Sequence, residues 1–155
     1  MTRIVRASRK HLAPTAKLMA ASPLLRRYGV TERTASIGLT RAFGRHDTLL
    51  VAMESDAVVG LAWFIQTLAL DRSTYLNLLL VAESHQSRGL GALLLARGER
   101  QARESGSRHM IFLVTKSNRR ARAFYEGHGY KHVGDLPGFV RPEIAETLYL
   151  KSWRA

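Results

Sequence analysis

Leu76-Asn77-Leu78-Leu79-Leu80-Val81, followed after a short gap by Gln86-Ser87-Arg88-Gly89-Leu90-Gly91-Ala92, is the stretch that decides how this chain folds. The apolar run has the character of a strand, and from Leu90 to Ser105 the residues Leu90, Leu93, Leu94 and Ala102 recur at helical spacing. The two glycines therefore sit at a strand-to-helix turn. The first N–H groups of a helix have no partner within it, and the helix dipole adds partial positive charge there, so such a turn suits a diphosphate held by main chain. Gly89 and Gly91 let the backbone approach an anion without an intervening Cβ.

Two familiar phosphate loops do not fit. A Walker loop ends in Gly-Lys-Ser/Thr, whereas Gly91 is followed by Ala92 and Leu93. A dinucleotide fingerprint needs a small residue where Leu94 stands and follows a first strand, whereas this turn lies mid-chain. Taken alone, Gly89-Leu90-Gly91 is as well explained by a permissive turn.

A second segment changes the balance. Asn118-Arg119-Arg120-Ala121-Arg122-Ala123-Phe124-Tyr125-Glu126-Gly127-His128-Gly129-Tyr130 predicts a short helix with Asn118 as N-cap and Gly129 as stop. Gln86-x-x-Gly89-x-Gly91, followed about one strand later by Asn118-x-x-Ala121-x-x-Phe124-Tyr125-x-x-x-Gly129-Tyr130, closely resembles the GNAT superfamily of acyl-CoA-dependent N-acyltransferases. The resemblance is strong from residue 75 to 130, continues by element order to the C-terminus and is generic before residue 45.

Composition is that of an ordinary globular enzyme. The 155 residues predict one domain, 1–155, with 46% hydrophobic and 23% charged residues. No cysteine is present, which excludes disulfides, a thiolate nucleophile and Cys-ligated zinc. The six histidines form no ligand spacing, so no metal is expected. With no apolar run of membrane-spanning length and no signal-peptide core after Met1, the expected location is the cytoplasm. The net charge of +12 favours an anionic partner. Nucleic acid is the weaker candidate, because Arg97, Arg100 and Arg103, like Arg119, Arg120 and Arg122, are not interleaved with stacking aromatics.

The chain alternates helix and strand without repeats. Strands are expected at Ile4–Ala7, Thr48–Met53, Ala57–Leu68, Thr74–Ala82, Met110–Thr115, Lys131–Gly134 and Thr147–Trp153. Helices are expected at Lys10–Ala21, Thr31–Phe43, Leu90–Ser105 and after Asn118, with Pro14 near the start of the first and Ser22-Pro23 breaking it. The fold class is thus α/β: a mixed, mostly antiparallel central sheet with helices on both faces. The resemblance adds a splayed parallel strand pair at the cofactor site.

The resemblance also assigns roles. Acetyl-CoA would be the cosubstrate, its pyrophosphate held by main-chain amides from Ser87 through Arg88, Gly89, Leu90 and Gly91 to Ala92, with Gln86 and Arg88 at the rim. The main chain of Leu79, Leu80 and Val81 would pair with the pantetheine arm, their side chains reading as core. Asn118 would contact that arm as well as cap its helix. Tyr125 would stand near the sulfur and protonate the departing thiolate, while Phe124 and Tyr130 read as core. The implied reaction is direct attack of a primary amine on the acetyl group with no covalent enzyme intermediate.

The amine must first lose a proton, and here the chain departs from relatives with a carboxylate early in the strand, near Tyr75. Asp71, Glu83 and a water relay all stay open as the base. Arg26, Arg27, Tyr28, Trp63 and Phe139 are candidates to line the acceptor cleft, and the loop Asp135–Glu143 would form one wall. Positive charge argues mildly against polycationic acceptors and leaves a small-molecule or peptide amine. Monomer and homodimer are both open. The alternatives are a non-catalytic acyl-CoA sensor, suggested by the missing base, and a basic nucleic-acid-binding protein.

Overall fold

The computed structural model describes residues 1–153. Their elements are β1 (Thr2–Arg6), α1 (Arg9–Ala20), α2 (Pro23–Arg27), α3 (Glu32–Gly44), β2 (Thr48–Glu54), β3 (Ala57–Gln66), α4 (Ala69–Arg72), β4 (Thr74–Val81), α5 (Leu90–Glu104), β5 (His109–Thr115), α6 (Arg119–Gly127), β6 (Lys131–Arg141) and β7 (Ile144–Ser152). The fold is mixed α/β, with a mostly antiparallel sheet in which β4 and β5 are the parallel pair. Among the described residues no helix is long and apolar enough to cross a membrane.

The chain divides into two compact units, Met1–Ile65 with Leu78–Gln101, and Gln66–Asn77 with Ala102–Ala155. In the first, β1, β2 and β3 run antiparallel in that order, with the second half of β4 beside β3. Strand β2 is buried along nearly its whole length because helices cover both of its faces. Leu49, Val51, Met53, Leu61 and Trp63 join Ala16, Met19 and Leu39 in a core under α1 and α3. On the opposite face α5 lies so close that a Cβ on Gly98 would fall 1.9 Å from Phe64 Cζ, and one on Gly60 would fall 3.1 Å from Leu94 Cδ1. Glycine at these positions lets the helix seat on the sheet.

In the second unit the order is β4, β5, β7, β6. The parallel ladder holds at two positions only, Thr74 opposite Met110 and Tyr75 opposite Ile111, so the strands part after Ile111. Helix α6 covers one face of this sheet, where the Tyr125 ring centroid lies 4.4 Å from that of Phe112. Tyr149 is fully buried on the same face, accepting a hydrogen bond from Arg122 Nε at 3.1 Å and donating one to Glu126 Oε2 at 2.7 Å.

Several boundaries differ from the sequence expectation. The sixth strand continues through Pro137 and Gly138 to Arg141, where a loop is expected from Asp135. It lies at the sheet edge and its register with β7 shifts around both His132 and Pro137, the two conditions under which a strand tolerates proline. Ser22-Pro23 ends α1 but at once starts α2, with Ser22 Oγ accepting from Leu25 N at 3.3 Å. Pro14 is interior to α1 rather than at its start.

Candidate functional site

The turn from Gln86 to Ala92 belongs to the first unit. Ser87 and Gly89 have left-handed backbone, with φ of 64° and 79°. A Cβ built on Gly89 would meet nothing within 4 Å, so glycine is kept there for its backbone angle and for the open space in front of it. The Leu93 N–H is the first to bond back along α5, to the Gly89 carbonyl at 3.1 Å. The amides of Leu90, Gly91 and Ala92 therefore precede the helical ladder at the positive end of a 15-residue helix. Leu90 and Leu94 are buried and anchor that end. The sequence leads one to expect an anion cradle here, and amides so placed have the chemistry to hold a diphosphate.

Side chains around the turn are held by unit-one partners. The Gln86 amide donates to the Val81 carbonyl at 3.2 Å, tying the turn back to β4. Glu54, at the end of β2, lies 3.0 Å from His85 Nε2 and 3.9 Å from Arg88 Nη1. Its carboxyl is lowered from the ordinary value first by the His85 hydrogen bond, then by the charges of His85 and Arg88. Arg88 is thus an exposed cation partly balanced by Glu54. Leu80 packs against the unit-one core, whereas Leu79 and Val81 are only half-buried and stand apart from it.

Asn118 and Tyr125 belong to the second unit. Asn118 Oδ1 accepts from the Ala121 N–H at 3.1 Å, the expected cap, and Gly129 ends α6 with φ of 89°. Position 125 faces inward on α6, and its phenol is 8% exposed among the rings of Phe112, Phe124, Tyr130 and Tyr149. Burial pushes its pKa well above the usual phenol range, so the hydroxyl keeps its proton at neutral pH. Tyr130 is core, its hydroxyl donating to Met110 Sδ at 3.2 Å, while Phe124 is half-buried.

The candidate bases differ in their surroundings. Asp71 lies in a left-handed run of Leu70, Asp71 and Arg72 and pairs with Arg108 and, at 3.2 Å, with His109. The Arg108 and His109 hydrogen bonds, in that order, lower its carboxyl and make it a poorer proton acceptor. Glu83 is exposed in a short turn before the cradle. Glu146 is a third carboxylate that the sequence reading does not single out, and it is 4% exposed on β7. Its only signal in the sequence is its place in the alternation Glu146, Leu148, Leu150. Trp63, expected to line a cleft, is instead core, its indole N–H donating to Asp47 Oδ2 at 3.0 Å. Among the described residues no group of His, Asp or Glu could hold a metal ion.

Comparison with known proteins identifies the family and the fold. The uncharacterized N-acetyltransferase YhfO of Bacillus subtilis (strain 168) is 28% identical over 138 residues, covering 83% of this chain and 91% of that protein. The fold superposes on an N-acetyltransferase from Staphylococcus aureus Mu50 with a TM-score of 0.82 at 17% identity, over 99% of both chains. It superposes equally, at 0.82 and 15% identity, on an aminoglycoside 6'-N-acetyltransferase complexed with coenzyme A, over 97% of this chain and 96% of that one. Residues 18–130 match the acetyltransferase (GNAT) family, a span that contains the cradle, the Asn118 cap and Tyr125, and the chain belongs to that family.

Proposed function

We propose that this protein is an acetyl-CoA-dependent N-acetyltransferase that acetylates a primary amine by direct attack. The observation that carries the reading is the left-handed turn at Ser87 and Gly89, which sets free amides at the start of α5. Amides from Ser87 to Ala92 hold the diphosphate of the cosubstrate, with Gln86 and Arg88 at its rim. The backbone of Leu79, Leu80 and Val81 pairs with the pantetheine arm, which Asn118 also contacts. A structural neighbour crystallised with coenzyme A supports this choice of cosubstrate. The family match takes in residues of both units, which supports reading the chain as one acetyltransferase domain.

The thioester supplies an activated acetyl carbonyl, so the chain needs no nucleophile of its own. The amine gives up a proton, its nitrogen bonds to the acetyl carbon, and the carbon–sulfur bond breaks. The products are the N-acetyl amine, free thiol and one proton. In this reading Tyr125 serves the departing sulfur, and its raised pKa favours donating a hydrogen bond to the forming thiolate over complete early transfer of the proton.

Thiol release on mixing with acetyl-CoA and a panel of primary amines tests the activity. A thermal shift with coenzyme A tests the binding: at 100-fold excess over Kd the folded state gains about 2.7 kcal/mol. Binding without thiol release from any amine would leave an acyl-CoA sensor. No shift at saturation would overturn the reading.

A further inference from the structure

We propose that the outward face of α1 and α3 is a docking surface for the phosphodiester backbone of a nucleic-acid duplex. This face lies across the unit-one sheet from α5 and is independent of the acetyl-transfer reading.

From Ser8 to His46 the sole acidic residue is Glu32. The two long helices of this stretch sort their residues by side. Ala16 and Met19 of α1 and Ala35, Leu39 and Ala42 of α3 face the sheet in one core cluster. Lys10 and Lys17 of α1, and Arg33 and Arg41 of α3, are exposed. Lys10 and Lys17 stand two turns apart on one side of α1, about 10 Å along its axis. Arg33, Ile37 and Arg41 step down one flank of α3, about 12 Å from first to last. The Arg9 guanidinium lies over the Phe43 ring, 5.3 Å from its centroid, which brings the start of α1 to the end of α3. The helices therefore run antiparallel. Lys10 is neighboured by Arg41 and Lys17 by Arg33, in two rows set apart by the usual helix spacing of about 8–10 Å.

Among the described residues none of these four cations makes an ion pair. Asp47, the next acid along the chain, is taken by Arg45 at 2.8 Å and by the Trp63 indole N–H at 3.0 Å. Glu32 sits in the first turn of α3, where the helix dipole favours a negative charge. Like charges held on rigid helices repel one another, and a polyanion relieves that repulsion. The corners are too widely spaced for one small anion to touch them all, whereas two rows of phosphates can. A duplex carries one charge per about 1.7 Å of its axis and releases counterions as phosphates are neutralised, so backbone contacts suffice without stacking aromatics. Arg33 and Arg41 add guanidinium forks suited to bidentate phosphate contacts. A lipid surface fits less well, because Ile37 alone among the described residues of these helices is a large exposed apolar side chain. A flexible acidic peptide must be ordered on contact, and Ile37 offers little apolar burial to offset that cost. A duplex is ordered before it binds.

The test is fluorescence anisotropy with a labelled DNA duplex of about 20 base pairs and, separately, the RNA duplex of the same sequence. The protein should bind one or both with a Kd on the order of 1–10 µM in about 50 mM salt, and lose about a hundredfold by about 200 mM, as roughly four phosphate contacts require. Lys10→Glu with Arg41→Glu, and Lys17→Glu with Arg33→Glu, should each weaken binding at least about tenfold and flatten the salt slope by about 2. Arg100→Glu with Lys131→Glu makes the same change in net charge elsewhere and should weaken binding by no more than about threefold. Saturating coenzyme A should leave duplex binding unchanged, because the turn proposed to hold it heads α5; displacement would put the duplex at that turn and overturn the proposal. No binding at low salt, an equal loss in the Arg100 and Lys131 pair, or a salt slope that the reversals leave unchanged would overturn it as well. Competition by polyglutamate, or by vesicles of about 30% phosphatidylserine in phosphatidylcholine, at equal charge concentration would assign the face to an acidic protein or a membrane instead. The melting temperature of each variant checks its fold. Should a reversal pair lack a cooperative melt, the corresponding Gln substitutions carry the test, with a fall of about threefold or more expected and unchanged binding overturning the proposal. Thiol release plays no part in these measurements, so failure of the acetyl-transfer reading leaves them intact.

Discussion

The Tyr125 ring lies 4.4 Å from that of Phe112 between centroids, tilted by 59°, so the ring is fixed by packing while its hydroxyl remains available. Packing and chemistry at this residue can therefore be separated by a single atom. Tyr125→Phe keeps the ring contacts and removes only the O–H. The melting temperature and coenzyme A shift should hold, while kcat falls on the order of ten- to a thousand-fold where chemistry limits the rate. An unchanged kcat would make Tyr125 a packing residue.

Gly89 offers a second separation. A methyl group there meets no atom within 4 Å, but φ of 79° costs a non-glycine residue about 1–2 kcal/mol. Gly89→Ala should lower stability by about that amount, read by chemical denaturation. Gly89→Glu should in addition abolish the coenzyme A thermal shift by setting a carboxylate where the diphosphate lies. A Glu variant that folds and shifts normally would show that the turn is not the cradle.

For Gly98 two effects oppose each other. Alanine is favoured over glycine inside a helix by about 1 kcal/mol. Against that, the new Cβ would fall 1.9 Å from the Cζ of Phe64, a ring that is 1% exposed and cannot swing aside. Overpacking, which costs about 1–3 kcal/mol, should win, and the melting temperature should fall by several degrees. Gly44→Ala is the control, because a Cβ there meets nothing within 4 Å. It should be neutral or stabilising.

Asp135 predicts a pH dependence. Lys116 at 2.9 Å, then His132 at 2.9 Å, hold its carboxyl down at about 2. The unfolded value is about 3.9, so the folded pKa is depressed; the stabilisation is present above pH 4 or so and disappears as pH falls toward 2. The gap in melting temperature between wild type and Asp135→Asn should be widest near neutrality and close as the solution is acidified through that window. Salt should narrow it as well, since the pair is exposed. A gap that persists undiminished at pH 2 would contradict the assignment.

The left-handed turn before α5 and the α6 cap are legible in the sequence because each is a local device. Left-handed backbone at Gly89, a capping oxygen at Asn118 and a stop at Gly129 are written into short windows. Beyond such windows the reading weakens. Pro137 and Gly138 suggest a loop, and only pairing with β7 at the sheet edge shows them to be strand. Glu146 looks like any charge in a C-terminal strand until register shows which way it faces. Trp63 resembles a cleft aromatic until its core neighbours and Asp47 are seen. In each case the deciding contact lies far away along the chain.

One strand pair in the second unit has a last consequence. Tyr125 rests on the α6 side of β5 and β7, while register sends Glu146 to the reverse side. A single thickness of sheet thus separates the phenol from the buried carboxylate. Burial among the rings on its own side is therefore what raises the pKa of Tyr125, with no charge from behind the sheet taking part.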